Sequence, residues 1–265
     1  MFYNIQEKEL NLSSGAMTYL CFGKGTCPLI MIQGLNTRGI SGSGVMLAWM
    51  YRMFAKDYRV YFFDRPAHLS ENTTIEALTD SLIEAMETLS IQSAMVLGVS
   101  QGGMIAQNLA IKRPDLVKKL VLAVTLSRNN PTVEAVISHW IDLVNKEQFK
   151  ELTWDMAKKM YTDAYLKGMK LFLPLLTLIN KPKDKERFIA LAKSCLSCKT
   201  YDQLEKIQCE TLVIGAKEDK IVTAEASLEI AQRLGSELVL YEKYGHAVYE
   251  EARDFNQRIY EFFAK

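Results

Sequence analysis

The amino-acid sequence predicts an α/β protein with a mostly parallel central sheet, helices on both faces and an inserted all-helical segment. Two observations carry this prediction. Short apolar runs alternate with segments of helical periodicity, which is typical of βαβ units and of a parallel sheet covered on both sides. The alternation stops near residue 127 and resumes near residue 208, so about 80 residues separate two consecutive strands. Because this is several times the length of an ordinary connection, we interpret it as a substructure of its own.

The first part of the chain predicts a hairpin followed by three βα repeats and a further strand. Residues 2–22 are read as two short strands around the turn Ser13-Ser14-Gly15. Thr73, with Glu76 three positions later, matches a capping box and predicts the start of a helix there. The predicted strands are 28–34, 59–64, 94–99 and 118–126, and the predicted helices are 45–56, 74–89 and 102–113.

The segment from Asn130 to Ile207 contains no strand signal and is predicted to be helical. Pro131 directly follows Asn130, and proline is favoured at the first position of a helix. Helical periods continue at 133–144, 149–161 and 185–196. We expect most of the large apolar side chains of this segment to pack inward and some to line the roof of an apolar pocket: Trp140, Trp154, Met156, Met160, Met169 and Phe172.

The sheet pattern resumes after the helical segment. Two further strands are predicted at 210–216 and 237–242. A helix at 223–234 begins at Thr223, and an amphipathic helix at 247–263 ends the pattern. The predicted division is therefore a core formed by residues 1–126 and 208–265 and an insertion formed by residues 127–207.

The composition is that of an ordinary globular protein. The chain has 265 residues, of which 49% are hydrophobic and 24% charged, and a formal net charge of +1, which offers no field to recruit nucleic acid. The polar N-terminus lacks the apolar core of a signal peptide, and the longest apolar run, residues 171–179, is too short to span a bilayer. We expect a cytoplasmic protein with a small-molecule partner, without nucleic acid or membrane partners; its oligomeric state is left open.

The five cysteines predict neither a disulfide framework nor a zinc site. Cys195 and Cys198 form a C-x-x-C pattern, but no second Cys or His pair completes a tetrahedral site. The glycine-rich loop 34–44 also lacks the spacing of nucleotide-binding loops. We therefore predict no metal and no cofactor.

One short stretch carries the strongest chemical signal, the "VLGVSQGG" of residues 96–103. Gly98, Ser100 and Gly102 form G-x-S-x-G between an apolar strand and a helix, the setting of a nucleophile elbow. Side chains at the two flanking positions would collide with the strained serine backbone, and glycine removes those collisions. Ser100 is therefore the candidate nucleophile.

A serine hydroxyl needs a base, and the chain offers three histidines. His246 lies between the last strand and the last helix, where it can reach the carboxyl edge of the sheet. His139 is interpreted as a residue of a helix face and His68 as a residue packed in a loop. His246 is therefore the candidate base.

The base in turn needs a carboxylate to hold its tautomer. Asp219 follows the strand 210–216 and precedes His246 by 27 residues. Glu218 is adjacent and could be confused with it, but we favour Asp219 because it stands at the entry to the next helix. The strand 118–126 is followed by no carboxylate that could take this role.

The order Ser100, Asp219, His246 resembles that of the α/β-hydrolase-fold enzymes with a helical cap, among them small bacterial carboxylesterases and enol-lactonases. The resemblance covers nearly the whole chain and implies that residues 127–207 are the cap. It also implies an oxyanion hole made by the backbone N–H groups of Leu35 and Gln101.

Two motifs depart from the family pattern. Gln33 stands where the family usually has histidine in its His-Gly-x motif, which puts the support of that loop in question. The loop after the next strand, Asp64 to Ser70, lacks both glycines of the family pattern, and nothing in the sequence indicates that it touches a substrate.

These residues predict a serine hydrolase that cleaves a small, largely apolar ester, thioester or lactone through an acyl-enzyme. C–C bond hydrolysis, amide cleavage of the aminopeptidase type and acyl transfer use the same triad and remain open. A protein that binds a small ligand without turnover is the alternative of another class.

Overall fold

A computed structural model describes residues 4–169 and 181–265 of the chain. One eight-stranded sheet runs through it, and its strands are β1 (Gln6–Leu12), β2 (Gly15–Phe22), β3 (Cys27–Ile32), β4 (Tyr58–Phe63), β5 (Ala94–Val99), β6 (Val117–Ala123), β7 (Glu210–Ala216) and β8 (Glu237–Tyr241). Their spatial order is β1-β2-β4-β3-β5-β6-β7-β8. The β1–β2 and β2–β4 pairs are antiparallel and all other pairs are parallel. The predicted mostly parallel sheet is confirmed.

Helices lie on both faces of the sheet, as predicted. The described helices are α1 (Gly44–Met50), α2 (Ile75–Thr88), α3 (Gln101–Lys112), α4 (Pro131–Asn145), α5 (Phe149–Met160), α6 (Asp163–Met169), α7 (Lys185–Cys195), α8 (Ala224–Leu234), α9 (Val248–Glu251) and α10 (Phe255–Ala264), with 3-10 turns at Phe54–Lys56, Pro114–Leu116 and Tyr201–Lys206. None of the described helices is long and apolar enough to cross a lipid bilayer.

The sheet separates two apolar clusters. On one face α2, α3 and α8 bury side chains such as Leu82, Leu109 and Ile230. On the other face α1 and α10 bury Leu47 and Ile259. Fully burying one such side chain contributes about 1.5–3 kcal/mol. Because both faces of the central strands are covered, these strands consist of nearly continuous apolar residues.

Strand β1 forms one edge of the sheet and pairs with one other strand, β2. Its exposed positions include Glu7, Lys8 and Glu9, while Leu12 at its end is buried. The predicted hairpin with β2 is confirmed, and the chain turns at Ser13 and Ser14.

The segment between β6 and β7 contains α4 to α7, and its described residues form no strand beyond an isolated bridge between Arg128 and Lys199. Helix α4 begins as predicted: Asn130 is the N-cap, its side chain accepts a hydrogen bond from the N–H of Val133, and Pro131 follows. The division of the chain at residues 126 and 208 stays a prediction.

Besides shifts of one or two residues at other strand and helix ends, four predicted features differ from the structure. The cap of α2 is Thr74, whose hydroxyl accepts from the N–H of Ala77, whereas the hydroxyl of Thr73 donates to the Ser70 carbonyl; the predicted capping box is therefore wrong. Strand β6 ends at Ala123 and not at residue 126, because Val124 leaves the extended conformation with a φ of 42°.

The other two differences concern helices predicted as continuous. The segment 45–56 is an α-helix only up to Met50 and then turns into a 3-10 helix. The segment 247–263 divides into α9 and α10, because Ala252 is extended, with a ψ of 116°. Helix α9 carries Tyr249 and Glu250, which line a cavity described below.

Candidate active site

Ser100 stands at the turn between β5 and α3 in a strained backbone conformation, with φ 54° and ψ −120°. The two flanking glycines are required by close backbone approach. A Cβ atom at Gly98 would lie 2.5 Å from the carbonyl oxygen of Gly102, and one at Gly102 would lie 2.0 Å from the carbonyl oxygen of Ile32. The geometry is that of a serine presented on a tight corner, as the G-x-S-x-G pattern predicts.

His246 and Asp219 form a buried hydrogen-bonded pair. The distance from His246 Nδ1 to Asp219 Oδ2 is 2.8 Å, and the two residues are only 3% and 7% exposed. Asp219 Oδ1 accepts two more hydrogen bonds, from the N–H groups of Ile221 at 2.8 Å and Val222 at 3.1 Å. Both carboxylate oxygens are therefore engaged, which fixes the ring of His246. The neighbouring Glu218 is exposed.

Ser100 and His246 line the same small cavity, of about 40 Å³, between the sheet and the helices that follow β6. Leu35 also lines it, together with apolar side chains such as Trp140 and Ile221. Neither His68 nor His139 is among its lining residues, and both are exposed. The structure thus brings the candidate nucleophile and the candidate base to one cavity.

The loop after β3 passes directly beside the serine. A Cβ atom at Gly34 would lie 3.1 Å from the Cβ of Ser100. Gln101 occupies the first turn of α3, where backbone N–H groups have no acceptor within the helix. Leu35, which follows Gly34, and Gln101, which follows Ser100, therefore both lie near the serine; an oxyanion hole made by their N–H groups stays a prediction.

A buried arginine that the sequence analysis left without a role supports this loop. Arg65 Nη2 donates to the carbonyl oxygen of Gln33 and, at 3.0 Å, to Gln101 Oε1. Burial lowers the pKa of the Arg65 guanidinium to about 10, although the carboxylate of Asp64 opposes this shift. Gln33, which directly precedes Gly34, stands where the family usually has histidine. The hydrogen bond from Arg65 to its carbonyl therefore supports this loop.

The side chain of Gln101 also connects the elbow to helix α7. Its amide nitrogen donates to the carbonyl of Leu191 at 2.8 Å and to the hydroxyl of Ser194 at 3.1 Å. Arg187, on the same helix, pairs with Asp64 at 3.0 Å. The sequence offered one sign of this network, because two charged residues, Asp64 and Arg65, directly follow the buried strand β4.

A second and larger cavity, of about 360 Å³, adjoins the first. Both cavities are lined by Gly34, Leu35, Met156, Met160 and Tyr249. At the wall of the larger cavity, the hydroxyl of Tyr161 donates to Glu250 Oε2 at 2.6 Å. Neither residue was predicted from the sequence, because no local pattern marks them.

The predicted roof residues divide into three groups. Trp140, Met156 and Met160 line one or both cavities, whereas Trp154 is 38% exposed and lies under the ammonium of Lys158. The Met169 side chain and Phe172 lie outside the described residues.

The thiols carry no sign of reactivity. All five cysteines are free, and burial raises the pKa of Cys195 to about 11 and that of Cys198 to about 12, so both stay protonated at neutral pH. Across residues 4–169 and 181–265, no group of three or more His, Cys, Asp or Glu side chains is arranged to hold a metal ion.

Comparisons with known proteins agree with this fold. The family described as alpha/beta hydrolase fold matches residues 28–253. A relative from Rhizobium rhizogenes, named as the carbamate hydrolase RutD, is 24% identical over 84% of this chain and 89% of its own length. The 2-hydroxy-6-oxononadienedioate/2-hydroxy-6-oxononatrienedioate hydrolase 2 of Pseudomonas putida is 26% identical over 98% of this chain and 95% of its own. The crystal structure of an enol-lactonase from Burkholderia xenovorans superposes with a TM-score of 0.85 at 22% identity, covering 97% of this chain and all of that one.

Proposed function

Because the chain belongs to the alpha/beta hydrolase fold family, we propose that it is a serine hydrolase that cleaves a small, largely apolar ester, thioester or lactone. The observation that carries the proposal is the buried 2.8 Å contact between His246 and Asp219, next to a serine on a strained corner. A buried carboxylate that orients an imidazole is what a serine nucleophile needs for activation.

In the proposed mechanism Ser100 Oγ attacks the substrate carbonyl while His246 Nε2 takes its proton. The negative charge that develops on the carbonyl oxygen is held by the N–H groups of Leu35 and Gln101, each worth on the order of 3 kcal/mol in comparable enzymes. Collapse expels the leaving group with the proton from His246 and leaves an acyl-serine. Water, deprotonated by His246, then releases the acid and restores Ser100.

The lining of the two cavities supports a largely apolar substrate, because aliphatic, methionine and aromatic side chains together make up most of it. The names of the relatives cover carbamates and dienedioates, so the family alone does not choose the bond. Rates on p-nitrophenyl esters of increasing acyl length, lactones, aminoacyl amides and carbamates would identify the bond that is cleaved fastest.

The first prediction concerns the nucleophile. A fluorophosphonate probe should label the wild-type protein, and Ser100→Ala should abolish both labelling and hydrolysis of p-nitrophenyl butyrate. The readout is in-gel fluorescence together with the mass of the labelled peptide.

Ser90→Ala is the matched control. Ser90 is an exposed serine that also has a positive φ, of 55°, at the end of α2, and it lines neither cavity. Labelling should be unchanged in this variant. Folded wild-type protein that stays unlabelled and hydrolyses no member of the panel would favour a ligand-binding protein instead.

A further inference from the structure

We propose that the larger cavity binds an organic ammonium group, so that the substrate is an ester, thioester or lactone that carries a cationic nitrogen. The inference rests on the proposed function, and it names the substrate class of the same site. Four features of the cavity carry it: its position, its single charge, its aromatic residues and the surroundings of that charge.

The cavity is placed to hold the part of a substrate that lies beyond the reacting carbonyl. It shares Gly34 and Leu35 with the small cavity of Ser100 and His246. Its volume of about 360 Å³ is at the lower end of the range of small-molecule pockets. A group bound there would therefore remain within reach of the serine.

Glu250 supplies the only formal charge among the described residues that line this cavity. One oxygen of its carboxyl accepts the hydrogen bond from Tyr161, which fixes the group in place. No described lysine or arginine lines either cavity. A substrate carboxylate would meet repulsion without a compensating cation, whereas an ammonium group would find a counter-charge.

Three tyrosines, Tyr51, Tyr161 and Tyr249, line the cavity together with Glu250, and one of them, Tyr161, contacts its carboxyl. The pKa of each phenol is raised, first by burial and then by the nearby charge of Glu250. Aromatic rings attract cations through their electron-rich faces, and rings combined with a carboxylate are a recurrent way to bind quaternary ammonium groups. The five methionines of the lining, which are soft and polarizable, fit the methyl groups of such a ligand: Met31, Met46, Met50, Met156 and Met160.

The state of Glu250 itself favours a cationic ligand. Glu250 is an exposed residue that lines the cavity, and partial desolvation of its carboxyl by nearby protein raises its pKa above the ordinary value. The neighbouring charge of Glu251 acts in the same direction, while the Tyr161 hydrogen bond opposes it. A bound ammonium group would give this carboxylate a counter-charge and so favour its ionised form.

The first test measures binding and does not require turnover. Choline and 3,3-dimethylbutan-1-ol have the same shape. They differ in the atom that carries the three methyl groups, which is a positively charged nitrogen in choline and a neutral carbon in the alcohol. Calorimetry should show that the wild-type protein binds choline about tenfold more tightly than the alcohol, as expected for a cation between a carboxylate and aromatic faces. Glu250→Gln should remove this difference and leave the weak binding of the alcohol unchanged.

Glu251→Gln is the matched control, because Glu251 is the next residue along the chain but does not line the cavity. Its carboxyl instead accepts hydrogen bonds from the N–H and the hydroxyl of Thr162. This variant should keep the preference for choline. Equal binding of choline and the alcohol by the wild-type protein, or a preference that survives in Glu250→Gln, would overturn the proposal.

The second test separates this inference from the proposed function. The ratio of kcat/KM for butyrylcholine to that for 3,3-dimethylbutyl butyrate should be about ten in the wild-type protein and about one in Glu250→Gln. Hydrolysis of both esters with a ratio of one in the wild type would refute the ammonium site and leave the serine hydrolase intact. Hydrolysis of neither ester, together with tight choline binding, would support the site and contradict the esterase.

Discussion

At the scale of single residues, the carboxyl groups of Asp219 and Glu250 differ in how completely they are hydrogen-bonded. Asp219 uses both oxygens, one toward His246 and the other toward two backbone N–H groups. Glu250 receives one side-chain hydrogen bond, from Tyr161, and its pKa is raised. Desolvation disfavours the charged form of a carboxyl. The carboxylate of Asp219 is thus hydrogen-bonded at both oxygens, whereas the carboxyl of Glu250 has one such partner and a raised pKa.

This difference has a consequence for stability. The folded state raises the pKa of Glu250, so it holds the proton more tightly than the unfolded chain does. Stability is therefore lost as the pH rises from the ordinary glutamate pKa through the raised value. Glu250→Gln, which never ionises, should have a higher Tm than the wild type at pH 8. The difference should shrink toward zero near pH 4, where the glutamate is largely protonated in both states.

Thermal unfolding followed by circular dichroism across this pH range measures the effect. Glu251→Gln serves again as the control, because both oxygens of the Glu251 carboxyl accept hydrogen bonds from Thr162, and the substitution turns one of these acceptors into a donor. It should be no more stable than the wild type at pH 8. A Tm of Glu250→Gln that lies below the wild type at pH 8 would contradict the assignment.

At the scale of elements, the corner between β5 and α3 depends on backbone packing against the neighbouring strand. A methyl group at position 102 would lie 2.0 Å from the carbonyl oxygen of Ile32, at the end of β3. Backbone cannot move aside as the end of a flexible side chain can. The glycine therefore determines how closely α3 approaches the loop that carries Gly34 and Leu35.

We expect Gly102→Ala to lower the Tm by roughly 2–12 °C, since overpacking of this kind costs about 1–3 kcal/mol and each kcal/mol shifts the Tm of a protein of this size by about 2–4 °C. Gly168→Ala is the control: a methyl group added to Gly168, in α6, would meet no atom of the described residues within 4 Å, and alanine is the better helix former. Its Tm should not fall. Equal Tm values for Gly102→Ala and the wild type would show that the corner is not as tightly packed as described.

The elements that could be read from the sequence are those set by local patterns. The bounds of β5 and β7 agree with the predicted 94–99 and 210–216, because a polar residue, Ser100 or Lys217, directly follows each apolar run. The division of 247–263 into α9 and α10 could not be read, since the helical apolar period continues across Ala252. Thr73 and Thr74 are adjacent and both suit a cap, so the choice between them depends on geometry.

At the scale of the whole molecule, Arg65 joins parts that are far apart in sequence. It contacts the loop after β3 through Gln33 and the start of α3 through Gln101. Its own carbonyl accepts from Arg187 on α7. The helical segment between β6 and β7 is thereby tied to the same loop that borders Ser100.

We expect Arg65→Lys to lower kcat roughly ten- to a hundredfold with little change in KM, because lysine is shorter than arginine and its compact ammonium does not reproduce the position of the planar guanidinium, so that the loop shifts. Steady-state rates on the fastest p-nitrophenyl ester measure this. Arg59→Lys is the control, since Arg59 Nη1 also donates to a backbone carbonyl, that of Gly23 at 2.9 Å, but away from both cavities. A similar loss of kcat in both variants would assign Arg65 a general structural role only.

The candidate site was predictable to the extent that it lies at the ends of strands. Ser100, Asp219 and His246 each follow a recognisable strand, and parallel topology brings strand ends to one edge. Arg65, Tyr161 and Glu250 could not be assigned in this way. Their roles arise from contacts across as many as 122 residues of sequence, which no local period encodes.

The charged outer strand β1 has a consequence for how molecules meet. Glu7, Lys8 and Glu9 are exposed along this edge of the sheet, and Glu7 also accepts from the N–H of Gly42. If a strand of another chain paired with β1, the alternating charges along this edge would have to be desolvated, which is unfavourable. Concentrated solutions should therefore resist fibre-like growth from this side, and self-association would have to use a different surface.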